Sequence, residues 1–138
     1  MTQLILTVGL PGSGKSTWAK QWVAEDPARR ARVNRDDLRT MLRGELVWGD
    51  RDLEAQVTVA QRATVAALLA DGVSVVVDDT NLNPARRKIL VGIGQAAGAD
   101  VVIHQMDTPL EECIRRDALR PPHQRVGEAV IRRLAAIT

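Results

Sequence analysis

Apolar residues along this 138-residue chain follow two rhythms. Short apolar runs bounded by turn residues predict strands at 3–8 (QLILTV), 31–34, 73–77 (VSVVV) and 100–106. The 73–77 run lacks apolar/polar alternation, as expected of a strand in a parallel sheet covered on both faces. Between the strands, apolar positions three and four apart predict helices at 17–24, 37–43, 50–70, from 84 onward, at 109–119 and at 126–137. Asp50 opens the long helix, which places Leu53, Val57, Ala60, Thr64, Ala67 and Leu68 on one face, and Asp71-Gly72 ends it. Pro84 stands at a favourable first helical position. Residues 44–49 read as a loop, and Arg120-Pro121-Pro122-His123-Gln124-Arg125 as a turn-rich basic segment. Strands alternating with helices imply parallel βαβ units. The expectation is one α/β domain over residues 1–138, with a parallel four-stranded sheet and helices on both faces.

Composition narrows the class. Hydrophobic content of 45% and charged content of 26% are those of a soluble globular protein, and no apolar run approaches membrane-spanning length. The N-terminus lacks the basic start and long apolar stretch of a secretory signal. The single cysteine, Cys113, cannot form an internal disulfide and reads as a packed, reduced thiol within a helix. A net charge of +2 is too small to announce nucleic-acid binding, so charge distribution must carry that argument. Sixteen of the nineteen basic residues are arginine, clustered at 29–43, 86–87 and 115–133. Compositional bias of the source genome accounts for this as well as selection for phosphate forks does. With no Phe or Tyr and three Trp, the chain lacks the stacking platform of single-strand binding modules. Trp18 and Trp22 read as core, Trp48 as packing, His104 as structural, and His123 as a residue that could touch phosphate.

The run Gly9-Leu10-Pro11-Gly12-Ser13-Gly14-Lys15-Ser16-Thr17 satisfies G-x-x-x-x-G-K-[ST] at every specified position. Its glycines let successive backbone N–H groups turn inward around phosphate oxygens. Lys15 then reaches the outer phosphates, and the Ser16 hydroxyl joins a magnesium shell. A strand before the loop and a helix after it agree with that reading, so ATP and Mg2+ are the expected ligands.

A triphosphate alone permits a switch, a mechanical ATPase or a small kinase, and the acidic motifs must decide. In a parallel sheet, ligands gather at the carboxyl ends of the strands. Asn34-Arg35-Asp36-Asp37 follows the second strand, and Asp78-Asp79-Thr80-Asn81 follows the third. A carboxylate at the first position could orient an incoming hydroxyl and accept its proton. One of Asp36 and Asp37 is expected to cap the helix and the other to serve the chemistry. Arg39 shares a helix face with Asp36 and suits an acceptor that carries a phosphate. Asp78 or Asp79 stands where phosphate-loop enzymes keep their magnesium-orienting acid, and Asp78 lies nearer the strand.

Taken together, GLPGSGKSTWA (9–19), VNRDDLR (33–39) and DDTNLNPARR (78–87), in this order and spacing, resemble the kinase half of phage polynucleotide kinase-phosphatases. The likeness spans nearly the whole chain but is tight only in these blocks. It implies a P-loop kinase fold with a small basic lid at about 115–126. It further implies transfer of the γ-phosphate of ATP to the 5′-hydroxyl end of single-stranded DNA or RNA. By this resemblance Asp36 is the general base, and Arg39 grips the acceptor's nearest phosphate. Arg35, Asp79, Thr80 and Asn81 line the acceptor site, which shifts the preference from Asp78 to Asp79. Arg120 is a lid arginine on the donor phosphates, and Arg116 approaches the adenine. An ion pair with Glu112, four residues away, is the alternative for Arg116. The phosphatase half and its D-x-D-x-T motif are absent, and residues 44–70 show no convincing match. A cytoplasmic location is expected, the host cytoplasm if phage-encoded, with no membrane partner; homo-oligomerisation stays open. A small-metabolite or sugar-nucleotide kinase, and a nucleotide-binding regulatory module, are the rival readings.

Overall fold

The computed structural model describes residues 1–137. Four parallel strands, β1 (Gln3–Val8), β2 (Arg30–Val33), β3 (Ser74–Val77) and β4 (Asp100–Gln105), form one sheet in the order β2-β3-β1-β4. The two central strands are apolar on both sides, and their alternation sorts the core into two layers. Leu4, Leu6, Val75 and Val77 face one layer, shared with Leu53, Val57, Val65 and Leu69 of α3 (Arg51–Ala70), Leu38 of α2 (Arg35–Arg43) and Leu90 of α4 (Pro84–Ala96). Ile5 and Val76 face the other, shared with Ala19 and Trp22 of α1 (Lys15–Glu25). Two short helices, α5 (Leu110–Ala118) and α6 (Glu128–Ala135), complete the chain, joined through a 3₁₀ turn at Pro122–Gln124.

Register brings the site together. Leu6 of β1 and Val33 of β2 both stand opposite Val77 of β3, so the segments after these three strands emerge side by side. Backbone bonds then lock them. Gly9 N–H donates to the Thr80 carbonyl at 3.1 Å, and the Asn81 amide nitrogen donates to the carbonyls of Thr7, Val77 and Asp79. Asn81 is the one non-glycine residue with positive φ among the described residues (φ 50), a conformation its short polar side chain tolerates.

Several boundaries differ from the sequence reading for local reasons. The first helix starts at Lys15 rather than residue 17, because Gly14 (φ 90) turns the chain directly into it. The second starts at Arg35, and its cap is neither Asp36 nor Asp37. Asn34 is extended, and its side chain accepts the Asp37 N–H at 3.0 Å. Both aspartates lie in the first turn, where they complement the helix dipole. On α3 the buried stripe is Leu53, Val57, Gln61, Val65 and Leu69; Thr64 and Ala67 face solvent, and Ala60 and Leu68 only flank the core. The expected face was rotated because a buried glutamine was passed over. Trp22 is buried with the Arg30 guanidinium 4.6 Å over its ring, whereas Trp18 is only partly buried and stacks on His104 at 3.9 Å. Trp48, expected to pack, is 43% exposed in the 44–50 loop. His123 lies exposed in the 3₁₀ turn, and Cys113 is a buried free thiol, as expected.

Candidate active site

The loop after β1 is a built cradle. Gly12 and Gly14 take φ of 81° and 90°, and a Cβ at Gly12 would run into the Cys113 carbonyl oxygen of α5. Thr108 Oγ1 donates to the Ser13 carbonyl at 2.8 Å, and buried Pro11 fills the base of the turn. Ser13 Oγ is buried with no hydrogen-bond partner among the described residues. A buried orphan hydroxyl in a glycine-rich loop is a group that a ligand satisfies. The N-terminus of α1 at Lys15, Ser16 and Thr17 adds unpaired N–H groups and the positive end of the helix dipole.

Lys15 is buried beneath the loop, its Nζ donating to the Leu10 carbonyl at 2.8 Å. Burial first, and then the charge of Arg120, bring its pKa from 10.5 down to about 8. Arg116 does two things the sequence reading treated as alternatives. Its Nε pairs with Glu112 at 2.9 Å, while its Nη1 lies 3.5 Å from the Gly12 carbonyl. Together with Gly14, Thr17, Trp18 and Arg120 it lines a recess beside the loop. Arg120 also flanks the clefts on the opposite side of the loop, 3.6 Å from Asp117. Asp117 itself is buried and accepts the N–H groups of Val126 and Gly127, both at 2.9 Å. It ties the end of α5 to the start of α6 and so sets where the basic turn lies.

Across from the loop stand the residues that follow β2 and β3. Asp36 is 54% exposed and accepts from Arg39 Nη1 at 2.6 Å. Arg39 is largely enclosed because Glu54 of α3 grips it with both carboxylate oxygens, at 2.6 Å from Nη2 and 3.0 Å from Nε. Arg35 sends its guanidinium to Thr58 Oγ1 (3.0 Å) and the Glu54 carbonyl (3.3 Å). Asp79 accepts the Arg35 backbone N–H at 2.9 Å and Gln61 Nε2 at 2.5 Å; burial pushes its carboxyl up to about 6. Thr80 and Asn81 line the smaller cleft between α3 and α4, though the Asn81 amide nitrogen is committed to backbone carbonyls. A cleft of about 310 Å³ joins the two sides, bordered by Pro11, Lys15 and Ser16, by Arg35, Asp36 and Arg39, by Asp79 and Thr80, and by Arg120.

Four residues here escaped the sequence reading. Glu54 and Asp117 lie too far along the chain from their partners for spacing to connect them. Gln61 had a signal, as the one polar member of a four-residue stripe on α3. Arg32 had one too, because Arg30-Ala31-Arg32-Val33 alternates and sends both arginines toward α1. Arg32 Nε bonds Asp78 at 2.5 Å, and Nη2 lies 3.4 Å from Ser16 Oγ. Among the described residues, no group of three or more His, Cys, Asp or Glu side chains gathers to hold a metal. The Ser16 hydroxyl as a single protein donor suits magnesium, which keeps waters and takes its other ligands from substrate phosphates. No helix of the described residues is long and apolar enough to cross a membrane.

Comparison with known proteins agrees with this architecture. The family model described as AAA domain matches residues 4–137. A chain of the Pnkp1/Rnl/Hen1 RNA repair complex superposes with a TM-score of 0.85 at 29% identity, over 99% of this chain. This chain spans only 43% of that one. The Mycobacterium tuberculosis APS kinase CysC, solved with AMPPNP and APS, superposes at TM-score 0.67 and 26% identity, over 86% of this chain and 69% of its own. Chaetomium thermophilum Kti12, solved with ADP-AlF3, shares the fold at TM-score 0.73 and 22% identity, over 97% of this chain and 79% of its own.

Proposed function

This chain belongs to the AAA domain family, and from that premise we propose that it is a phosphotransferase that moves the γ-phosphate of ATP to the 5′-hydroxyl end of DNA or RNA. The observation that carries the reading is the single cleft with the phosphate loop on one side and Asp36, Arg35 and Arg39 on the other. A switch or regulatory module has no use for that second side.

In this reading Asp36 accepts the proton of the acceptor hydroxyl as its oxygen bonds to the γ-phosphorus and the bond to the bridging oxygen of ADP breaks. Arg39, held in place by Glu54, binds the phosphate next to that hydroxyl. Lys15 and Arg120 face the transferred group and stabilise charge that develops on it. Magnesium, held at Ser16, supplies neutralisation of the outer phosphates when bound. Arg116 flanks the nucleotide beside the loop, while Asp79, Thr80 and Asn81 shape the acceptor floor. Likeness to the RNA-repair chain and to VNRDDLR (33–39) supports a polynucleotide acceptor. A kinase for a small nucleotide is the second reading, favoured by the likeness to the APS kinase.

The test is incubation with γ-labelled ATP and magnesium, offering in parallel a 5′-hydroxyl oligonucleotide, a nucleoside 3′-monophosphate, APS and a set of sugars. Label on the oligonucleotide is expected, and Asp36→Asn is expected to lose about 10²–10⁴-fold in transfer rate while still binding ADP. Label on a sugar or APS alone would overturn the polynucleotide reading.

A further inference from the structure

Arg32 lies on an edge strand and belongs to none of the motif blocks, yet it is tied to the phosphate loop more directly than any acidic residue. Its guanidinium spreads in three directions: Nε to Asp78 Oδ2 at 2.5 Å, Nη1 to Asp37 Oδ2 at 2.6 Å, and Nη2 to Ser16 Oγ at 3.4 Å. The Asp78 side chain is fully enclosed, and its other oxygen accepts from Asn34 Nδ2 at 3.1 Å. Both oxygens of this strand-end carboxylate are therefore engaged by protein donors. A metal that took Asp78 as a direct ligand would have to break a buried charge-assisted bond, and such bonds are among the strongest in a protein.

The consequence concerns charge at Ser16. An arginine keeps its proton at any working pH, so the guanidinium is a permanent cation beside the hydroxyl at the start of α1. A divalent ion bound to that hydroxyl would stand within a few ångströms of it. Like charges repel strongly at that range where water is partly excluded. Phosphate oxygens at the same place are attracted instead, and planar guanidinium groups recognise them well.

We infer that Arg32 is an internal counter-cation of the phosphate site: it lets the loop hold nucleotide phosphates without magnesium, and it raises the magnesium concentration needed to occupy Ser16. This rests on nucleotide binding at the loop and not on the identity of the acceptor.

The experiment measures ADP affinity by calorimetry in the presence of a chelator and across a magnesium titration. In the wild-type chain, metal-free ADP is expected to bind within about tenfold of magnesium-ADP, since the lost metal is partly replaced by a charge-assisted contact. Arg32→Gln is expected to lose about tenfold or more in metal-free affinity, to recover most of it with magnesium, and to shift the magnesium midpoint to lower concentration. Arg32→Lys, which keeps the charge, is expected to retain metal-free binding. Because Arg32→Gln strips a buried carboxylate of a partner, the double variant Arg32→Gln/Asp78→Asn guards against a folding artefact; it removes both charges and keeps a hydrogen bond, and it must show the same magnesium dependence. Equal loss with and without magnesium in the glutamine variants, or loss in neither condition, overturns the inference. A wild-type chain that binds no nucleotide at all overturns the loop reading, and this inference with it.

Discussion

Lys15 should behave as a proton sensor for an occupied donor site. Its ammonium is buried against the Leu10 carbonyl, and burial with the nearby Arg120 charge brings its pKa from 10.5 down to about 8. Phosphates arriving in the loop place negative charge beside the amine and restore its affinity for a proton. Nucleotide binding therefore takes up a proton in the window between a pKa of about 8 and the ordinary 10.5. At about pH 8.5, roughly a quarter of the free chain carries a charged Lys15, so binding takes up about three quarters of a proton; at about pH 7 the uptake falls to about a tenth. Calorimetric titration with ADP in two buffers of different ionisation enthalpy measures this number directly. The nearby Cys113 does not confuse the signal, since burial pushes its thiol up and keeps it protonated. Lys15→Arg, with its permanent charge, should take up none. Equal uptake at the two pH values, or full uptake in Lys15→Arg, refutes the reasoning.

Two further predictions concern the acceptor side. Asp79 has a folded pKa of about 6 against 3.8 for the free side chain, so the folded state binds more protons between about pH 4 and pH 6. Stability should fall as pH rises through that window, and Asp79→Asn, which carries no charge, should be more stable by about 1–3 kcal/mol at about pH 7 in urea unfolding; an unchanged pH profile in the variant would show that another group is responsible. Glu54→Gln releases the grip on Arg39 and should cost about 1 kcal/mol of stability, screened because Glu54 is about a third exposed. It should raise the acceptor KM and leave ADP affinity unchanged; a variant that loses ADP affinity instead would place Arg39 on the donor side.

What could be read in advance follows a physical divide. β1, the phosphate loop and the strand-end acids are local signals, in which neighbouring residues dictate backbone shape, and they appear where they were expected. The cap of α2 was misassigned because Asn34 outcompetes the two aspartates for the helix N–H groups. The α3 face was misjudged because Gln61 sits at a core position, which hydrophobic periodicity treats as solvent-facing. Its burial makes sense only once Asp79 and Arg35 are seen around it. The grip of Glu54 on Arg39 and the reach of Arg32 across to Ser16 are properties of the tertiary arrangement. No spacing rule along the chain could have announced them.

The two segments that border the acceptor side differ in how tightly they are held, and this bears on how such a protein can change. Residues 78–82 are stitched to β1 by Asn81 and by the Gly9 to Thr80 bond, so any lengthening there would disturb the donor loop in the same step. The 44–50 segment has open space around both its glycines and a half-exposed Trp48 between them. Insertions and substitutions can accumulate in that segment with little damage to phosphate handling. Descent with modification thus has one wall of the cleft on which to try new acceptors, while the machinery that delivers the phosphate is inherited intact.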